Sequence, residues 1–359
     1  SIVICVIVCR NKAITTIILT TLSITLLMVI IKRRPQQEKI PINETTIKSE
    51  EVQLLESMTL QQKIGQLFLF GFTGTTLTEE TKEMLERKEV GGVLLYGHNI
   101  INNNQVKKLN KDIKKWGSNG ILVAIDQEGG VVSRLKGSIA LTKSQREIRD
   151  EEEAREIAKE RATLLKELGI NTNFAPVVEY CTDSKAFMYN RVFNGDTDKV
   201  SKLGIASILG YQDAGIISTI KHYPGHSNTH IDSHKTLPTL SISDSEWEEY
   251  IYTFKDIVKR AEVDMIMTGH ILLPKIDKYP STLSHEIIGN RLRRNLGYKG
   301  VVISDDMLMK SIEEIDTHCN IAKQALLAGN DILIYSGNLE IQNEVYECIL
   351  QSVITQEIE

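Results

Sequence analysis

The sequence predicts an α/β fold closed as a (β/α)8 TIM-type barrel, on three observations. Short apolar runs rich in Val, Ile and Leu recur along the chain, charged stretches of helical periodicity separate them, and polar residues gather where the apolar runs stop. Near-continuous apolar strands imply a parallel sheet covered on both faces, and repeated βα units in a chain of this length favour a closed barrel. An open doubly wound sheet would carry a phosphate loop after its first strand. Phe70-Gly71-Phe72-Thr73-Gly74 lacks both the GxGxxG spacing and the lysine of such a loop.

The chain begins differently from how it continues. Within residues 1–34, the run Ala13–Ile31 holds no charged residue. At about 1.5 Å rise per residue that run approaches the roughly 30 Å hydrocarbon thickness of a bilayer. Arg10 and Lys12 precede it, Lys32, Arg33 and Arg34 follow, and no small-residue cleavage site comes after, so an uncleaved membrane anchor is expected. Basic residues on both sides leave its orientation open. Residues 35–50, polar and carrying Pro35 and Pro41, read as a tether. The barrel domain is expected over 51–359.

Strands are expected in order at Gln66–Phe70, Gly92–Leu95, Ile121–Ile125, Asn171–Val178, Ile216–Lys221, Met265–Gly269, Val301–Ser304 and Ile332–Tyr335. Helices are expected at Glu79–Lys88, Asn103–Trp116, Glu151–Leu168, Asp198–Asp213, Ser245–Glu262, His285–Asn295 and Ile315–Leu327. The pairs Gly91-Gly92 and Gly129-Gly130 read as turns where backbone must approach backbone.

Composition narrows the function. Lys plus Arg total 42 and Asp plus Glu 47, a net charge of −5, with no basic excess to suit a phosphate backbone, so nucleic acid is not an expected partner. Cys5, Cys9, Cys181, Cys319 and Cys348 are scattered without CxxC pairing, and they read as core or incidental thiols rather than a disulfide framework or zinc site.

In a barrel of this kind the chemistry sits at the carboxyl ends of the strands. Strand three ends in Asp126-Gln127-Glu128-Gly129-Gly130 with Arg134 beyond, strand five in Lys221-His222, strand six before His270, and strand seven in Asp305-Asp306. The segment from Lys221 to His234 holds four histidines, His222, His226, His230 and His234, among the chain's 8. Their spacing by four would align metal ligands on a helix, but Pro224-Gly225 break any helix there. A metal-dependent barrel hydrolase would show a His-x-His pair after strand one, where Phe70 and Phe72 stand, so no metal is expected. The economical reading is an ordered loop in which Asp232 holds His234 in one tautomer, a general acid/base pair.

The chain resembles the β-N-acetylglucosaminidases of glycoside hydrolase family 3 over about Met58 to Gly337. The landmarks are Met58-Thr59-Leu60-Gln61-Gln62-Lys63-Ile64-Gly65-Gln66, Asp126-Gln127-Glu128-Gly129-Gly130, Asn173-Phe174-Ala175-Pro176-Val177, Arg191-Val192-Phe193, the Lys221 to His234 loop and Ser304-Asp305-Asp306. The resemblance implies Asp305 as nucleophile and His234, supported by Asp232, as acid/base. It implies that Asp126, Arg134, Arg191, Lys221 and His222 hold the terminal sugar, with no cofactor. Asp306 is expected to serve the local backbone, and His270 stays open between pocket lining and core.

Three departures from the family pattern bear on loop dynamics and fine specificity. Val131-Val132 stands where Arg-Val is usual, Glu179 where Asp is commoner, and Ser227-Asn228 where Gly-Asp is usual. The expected activity is retaining exo-hydrolysis of terminal β-N-acetylglucosamine from peptidoglycan fragments or a similar glycan. The expected setting is a membrane-anchored protein of a bacterial cell surface, or the cytoplasm if the first residues are an artefact of the gene start. A β-glucosidase of the same family and a catalytically inactive sugar-binding surface protein are the alternatives. The chain stops soon after strand eight, so the barrel is expected to act without a second domain.

Overall fold

The computed structural model describes residues 49–118 and 120–358. The expected anchor lies outside the described residues, as does nearly all of the tether. Among the described residues, no helix is long and apolar enough to cross a membrane. Residues 57–359 form one compact unit and residues 1–56 another, whose described part is the start of a helix at Glu50–Ser57.

Within the larger unit, eight parallel strands close a barrel: β1 (Phe68–Gly71), β2 (Gly92–Leu95), β3 (Leu122–Ile125), β4 (Thr172–Asn173), β5 (Ile217–Tyr223), β6 (Met265–Thr268), β7 (Val301–Asp306) and β8 (Ile332–Tyr335). Each is hydrogen-bonded to its neighbours in sequence, and β8 closes on β1. The covering helices are α1 (Glu79–Lys88), α2 (Asn103–Trp116), α3 (Glu151–Glu167), α4 (Thr197–Asp213), α5 (Tyr252–Arg260), α6 (Glu286–Asn295), α7 (His318–Ala328) and α8 (Leu339–Ile354). Thr78, Asn102, Asp150, Asp196, Thr317 and Asn338 cap six of them, each side chain accepting a backbone N–H of the first turn. Three glutamates, Glu151, Glu152 and Glu153, face the positive end of α3.

Several expected elements differ, each for a local reason. The strand expected over Asn171–Val178 shortens to β4, because Pro176 has no N–H to give the ladder and Asn173 turns its amide to the end of β3. The long helix expected over Ser245–Glu262 splits at Ile251, whose φ of −92° and ψ of 9° interrupt it. α6 is wound with i→i+5 bonds, such as Asn290 N–H to His285 O. α8 has no counterpart in the expected elements. It packs against α7, and Cys348 on α8 is disulfide-bonded to Cys319 on α7, Cα atoms 5.7 Å apart. That corrects the reading of these two cysteines as incidental thiols: α7 and α8 flank β8 as consecutive helices and pack side by side, so residues 29 apart in sequence meet. Cys181 is a buried free thiol.

The barrel interior explains where the charge goes. Leu69, Leu94, Ala124, Phe174, Met267, Ile303 and Ile334 fill one inner cluster. Lys221 of β5 lies in register with Met267, so a cation enters a layer that is otherwise apolar. Such a group is costly unless paired. A hairpin after β3 (Gln127–Gly129 with Val132–Ser133) supplies part of the pairing. Its turn needs glycine: Gly129 has φ of +88°, and a Cβ there would meet Lys143 O at 2.0 Å.

Candidate active site

The floor of the site is a ring of opposite charges at the carboxyl ends of the strands. In β5 the register shifts between Lys221 and Tyr223, and this bulge lets the consecutive residues Lys221 and His222 both serve the same mouth. Lys221 Nζ lies 2.7 Å from Asp126 Oδ1 and 2.6 Å from Glu128 Oε1. Glu128 also accepts two parallel bonds from Arg191, at 3.0 Å from Nε and 2.7 Å from Nη2. Arg134 Nη2 is 3.5 Å from Asp126 Oδ2.

Burial pushes both carboxyls up, but the cations outweigh it: Arg191 and Lys221 hold Glu128 at about 2, and Lys221 and Arg134 hold Asp126 below the usual range. Burial likewise lowers Lys221 while Asp126 and Glu128 raise it further, so the ring is fully charged at neutral pH. Arg134 Nε is buried without a hydrogen-bond partner among the described residues. A polar ligand above the ring would meet it.

Asp305 stands near the end of β7 and accepts the Asp306 N–H at 2.8 Å. Burial raises its carboxyl, and His222, His270, that amide and Lys221 outweigh the burial, leaving it ionised at neutral pH. Asp306 serves the backbone, as expected: Oδ1 accepts from Leu308 N and Ser336 N, and Oδ2 from the Tyr96 hydroxyl. His270 is a satisfied core histidine, with Nδ1 at 2.9 Å from Thr282 Oγ1 and Nε2 donating to Asp306 O at 3.0 Å.

Above the floor, the segment after β5 is not helical, and its three histidines, like His222 within β5, each meet a carboxylate. His222 and His226 share Glu179, His230 lies 2.5 Å from Asp183, and His234 lies 2.9 Å from Asp232. Asp232 Oδ1 accepts both the backbone N–H and Nδ1–H of His234, which leaves Nε2 as the nitrogen open to a substrate. His234 is 62% exposed. Phe187 bridges loop and floor. Its ring centroid is 6.0 Å from that of His234 and 5.9 Å from Arg191 Cζ, while Arg191 Nη2 reaches His222 Nε2 at 3.3 Å. Phe187 and Arg191 thus tie the His234 loop to the floor, and Asp305 stands at the end of β7.

Glu179, His222 and His226 offer ligand atoms within 4.8 Å of one another, the donor set of a metal site. The carboxylate oxygens, however, already receive the backbone N–H groups of His222 and His226. As they stand, the three form a hydrogen-bonded hub.

Sequence reasoning points to eight residues: Asp126, Arg134, Arg191, Lys221 and His222 come together in the floor, Asp232 and His234 pair on the loop, and Asp305 stands at the end of β7. It missed Glu128 and treated Glu179 only as a departure. Charge balance was the available signal: a buried lysine and arginine require more than the one carboxylate of Asp126.

The sequence pattern of the glycosyl hydrolase family 3 N terminal domain matches residues 59–358. A beta-hexosaminidase of Psychromonas ingrahamii is 34% identical over 269 residues, covering 73% of this chain and 80% of the relative. A beta-hexosaminidase of Pseudomonas aeruginosa is 32% identical over 267 residues, covering 72% and 79%. Among solved structures, a glycoside hydrolase family 3 beta-N-acetylglucosaminidase from Paenibacillus sp. superposes with a TM-score of 0.78 at 33% identity. The match covers 84% of this chain and 60% of that one, so the chain spans under two thirds of that enzyme. NagZ of Neisseria gonorrhoeae, solved with N-trifluoroacetyl-D-glucosamine, superposes with a TM-score of 0.71 at 27% identity, covering 78% of this chain and 84% of that one.

Proposed function

The chain belongs to glycosyl hydrolase family 3 and is a glycoside hydrolase, and from that premise we propose a retaining exo-β-N-acetylglucosaminidase. Asp305 attacks the anomeric carbon of a terminal β-linked N-acetylglucosamine. The His234 imidazolium gives its Nε2 proton to the departing oxygen, so one C–O bond forms as another breaks. His234, now neutral, then takes a proton from water, whose oxygen displaces Asp305 and releases the sugar. Asp232 holds the imidazole in register and stabilises its cation. Asp126, Arg134, Arg191, Lys221 and His222 hold the sugar's hydroxyl groups.

The observation that supports this reading most is the charged floor at the carboxyl ends of the strands, to which the Asp232–His234 pair is tied through Phe187 and Arg191. Using an imidazole as the acid keeps a second carboxylate away from the nucleophile, so the two groups do not compete for a proton. The substrate class we propose is peptidoglycan fragments or a related glycan ending in N-acetylglucosamine.

For location, we propose membrane tethering through residues 1–34 at a bacterial cell surface. The uncharged run Ala13–Ile31 and the Cys319–Cys348 disulfide, a bond suited to an oxidising compartment, support it. The test of activity compares 4-nitrophenyl β-N-acetylglucosaminide with the β-glucoside. Preferential turnover of the former is expected. Preference for the glucoside would establish the alternative β-glucosidase, and turnover of neither would establish a binding protein.

A further inference from the structure

One carboxylate at this mouth is buried more deeply than the proposed reaction requires. Glu179 is 1% exposed and belongs to the segment after β4. Its Oε1 lies 2.7 Å from His222 Nδ1 and 3.1 Å from His222 N. Its Oε2 accepts the backbone N–H of His226, and His226 Nδ1 stands 3.2 Å from both oxygens. Burial pushes this carboxyl up, yet the surrounding His226 and His222 donors hold it well below the usual range. Ionised, it only accepts, so both Nδ1 atoms donate to it.

The two Nε2 atoms meet different partners. His222 Nε2 accepts from Arg191 Nη2 at 3.3 Å, in the floor. His226 Nε2 is hydrogen-bonded to Ser233 Oγ at 3.3 Å, and Ser233, only 2% exposed, sits between Asp232 and His234. The same two segments are stitched further out, where Asn228 Oδ1 accepts from Thr182 N and Asp183 N, and Phe187 N donates to Thr229 O.

We infer that Glu179 is a positioning residue that ties the sugar-holding end of β5 to the acid/base loop, through the chain Glu179–His226–Ser233. The inference rests on the proposed roles of His222, Asp232 and His234. Glu179 touches neither sugar nor the reacting atoms. It fixes the distance between the groups that do, and an error of about 1 Å in such a distance can cost on the order of 10²-fold in rate.

A merely structural carboxylate would alter all substrates alike, whereas a positioning one must alter the proton transfer selectively. The test measures kcat/KM for the 2,4-dinitrophenyl and the phenyl β-N-acetylglucosaminides with the wild type, Glu179→Gln, Glu179→Asp and Ser233→Ala, alongside inhibition by N-acetylglucosamine. The dinitrophenolate leaves without protonation and phenolate does not.

For Glu179→Gln, the phenyl glycoside is expected to fall on the order of 10²-fold and the dinitrophenyl glycoside by under about tenfold. Inhibition by the sugar also weakens, because His222 is released. Glu179→Asp keeps the carboxylate and recovers part of the loss. Ser233→Ala, a small change that avoids removing a buried charge, cuts only the link to the loop. It is expected to lower the phenyl glycoside selectively and leave sugar inhibition unchanged. Equal losses on both glycosides in Glu179→Gln and Ser233→Ala, or no loss in either, would overturn the inference. A wild type that turns over neither glycoside would overturn the proposed function itself, and the inference with it.

Discussion

The floor of the barrel mouth and the loop above it solve opposite problems with the same kinds of residue. In the floor, Lys221 and Glu128 are 2% and 1% exposed and saturate one another, with Arg191 and Asp126 completing the ring. In the loop, Asp232 and His234 are 28% and 62% exposed and meet through one carboxylate oxygen alone. Buried ion pairs are costly to desolvate and costly to break, so they suit a rigid seat for a neutral sugar. A group that gives and takes a proton needs access to water and freedom to approach, and a loop supplies both.

The comparison can be broken in three ways, from the largest expected effect to the smallest. His234→Ala removes the proton donor, and phenyl glycoside turnover should fall by about 10²- to 10⁴-fold while a dinitrophenyl glycoside is largely spared. Steady-state kinetics on the two substrates check this, and equal losses would deny the loop its role in proton transfer. Thermal stability should hardly change, because this side chain is mostly in water.

Glu128→Gln should do the reverse. Stripping the counter-charge from buried Lys221 and Arg191 is expected to cost about 3–5 kcal/mol of stability, read from urea unfolding. The pH dependence carries a sign. Glu128 falls from the ordinary 4.5 to about 2 in the folded protein. Its stabilising contribution is therefore complete above about pH 4.5 and is lost as pH falls towards 2. The urea midpoint of the wild type should decline across that window, and the variant should show a flatter decline.

Cys319→Ser tests a region remote from both. Losing the cross-link between α7 and α8 should cost about 2–4 kcal/mol with kcat/KM unchanged. A thiol reductant should lower the melting temperature of the wild type and leave that of the variant alone. No effect of reductant on the wild type would deny the disulfide.

Much of this was legible before any coordinates, because the fold is written in alternation. Gly92–Leu95 and Ile332–Tyr335 are strands over the very residues the apolar runs mark, and Glu79–Lys88 and Asn103–Trp116 are helices over theirs. Site residues were legible because barrel chemistry collects where apolar runs end. What escaped depends on contacts distant in sequence. Glu128 matters through Arg191, a residue brought beside it by the turn after β4, and Cys319 meets Cys348 only once α8 folds back against α7. The histidines spaced by four do not share a helix, and the partners of His226 and His230, Glu179 and Asp183, lie on another loop and left no local trace.

The claim at the centre is that Asp305 forms a covalent bond to the sugar. Incubation with a 5-fluoro-N-acetylglucosaminyl fluoride, followed by proteolysis and mass spectrometry, tests it directly. The account predicts a stoichiometric adduct on the peptide holding Asp305, lost in Asp305→Ala. An adduct on Asp126 or another carboxylate, or turnover of the reagent with no adduct and an inverted anomeric product, would contradict it.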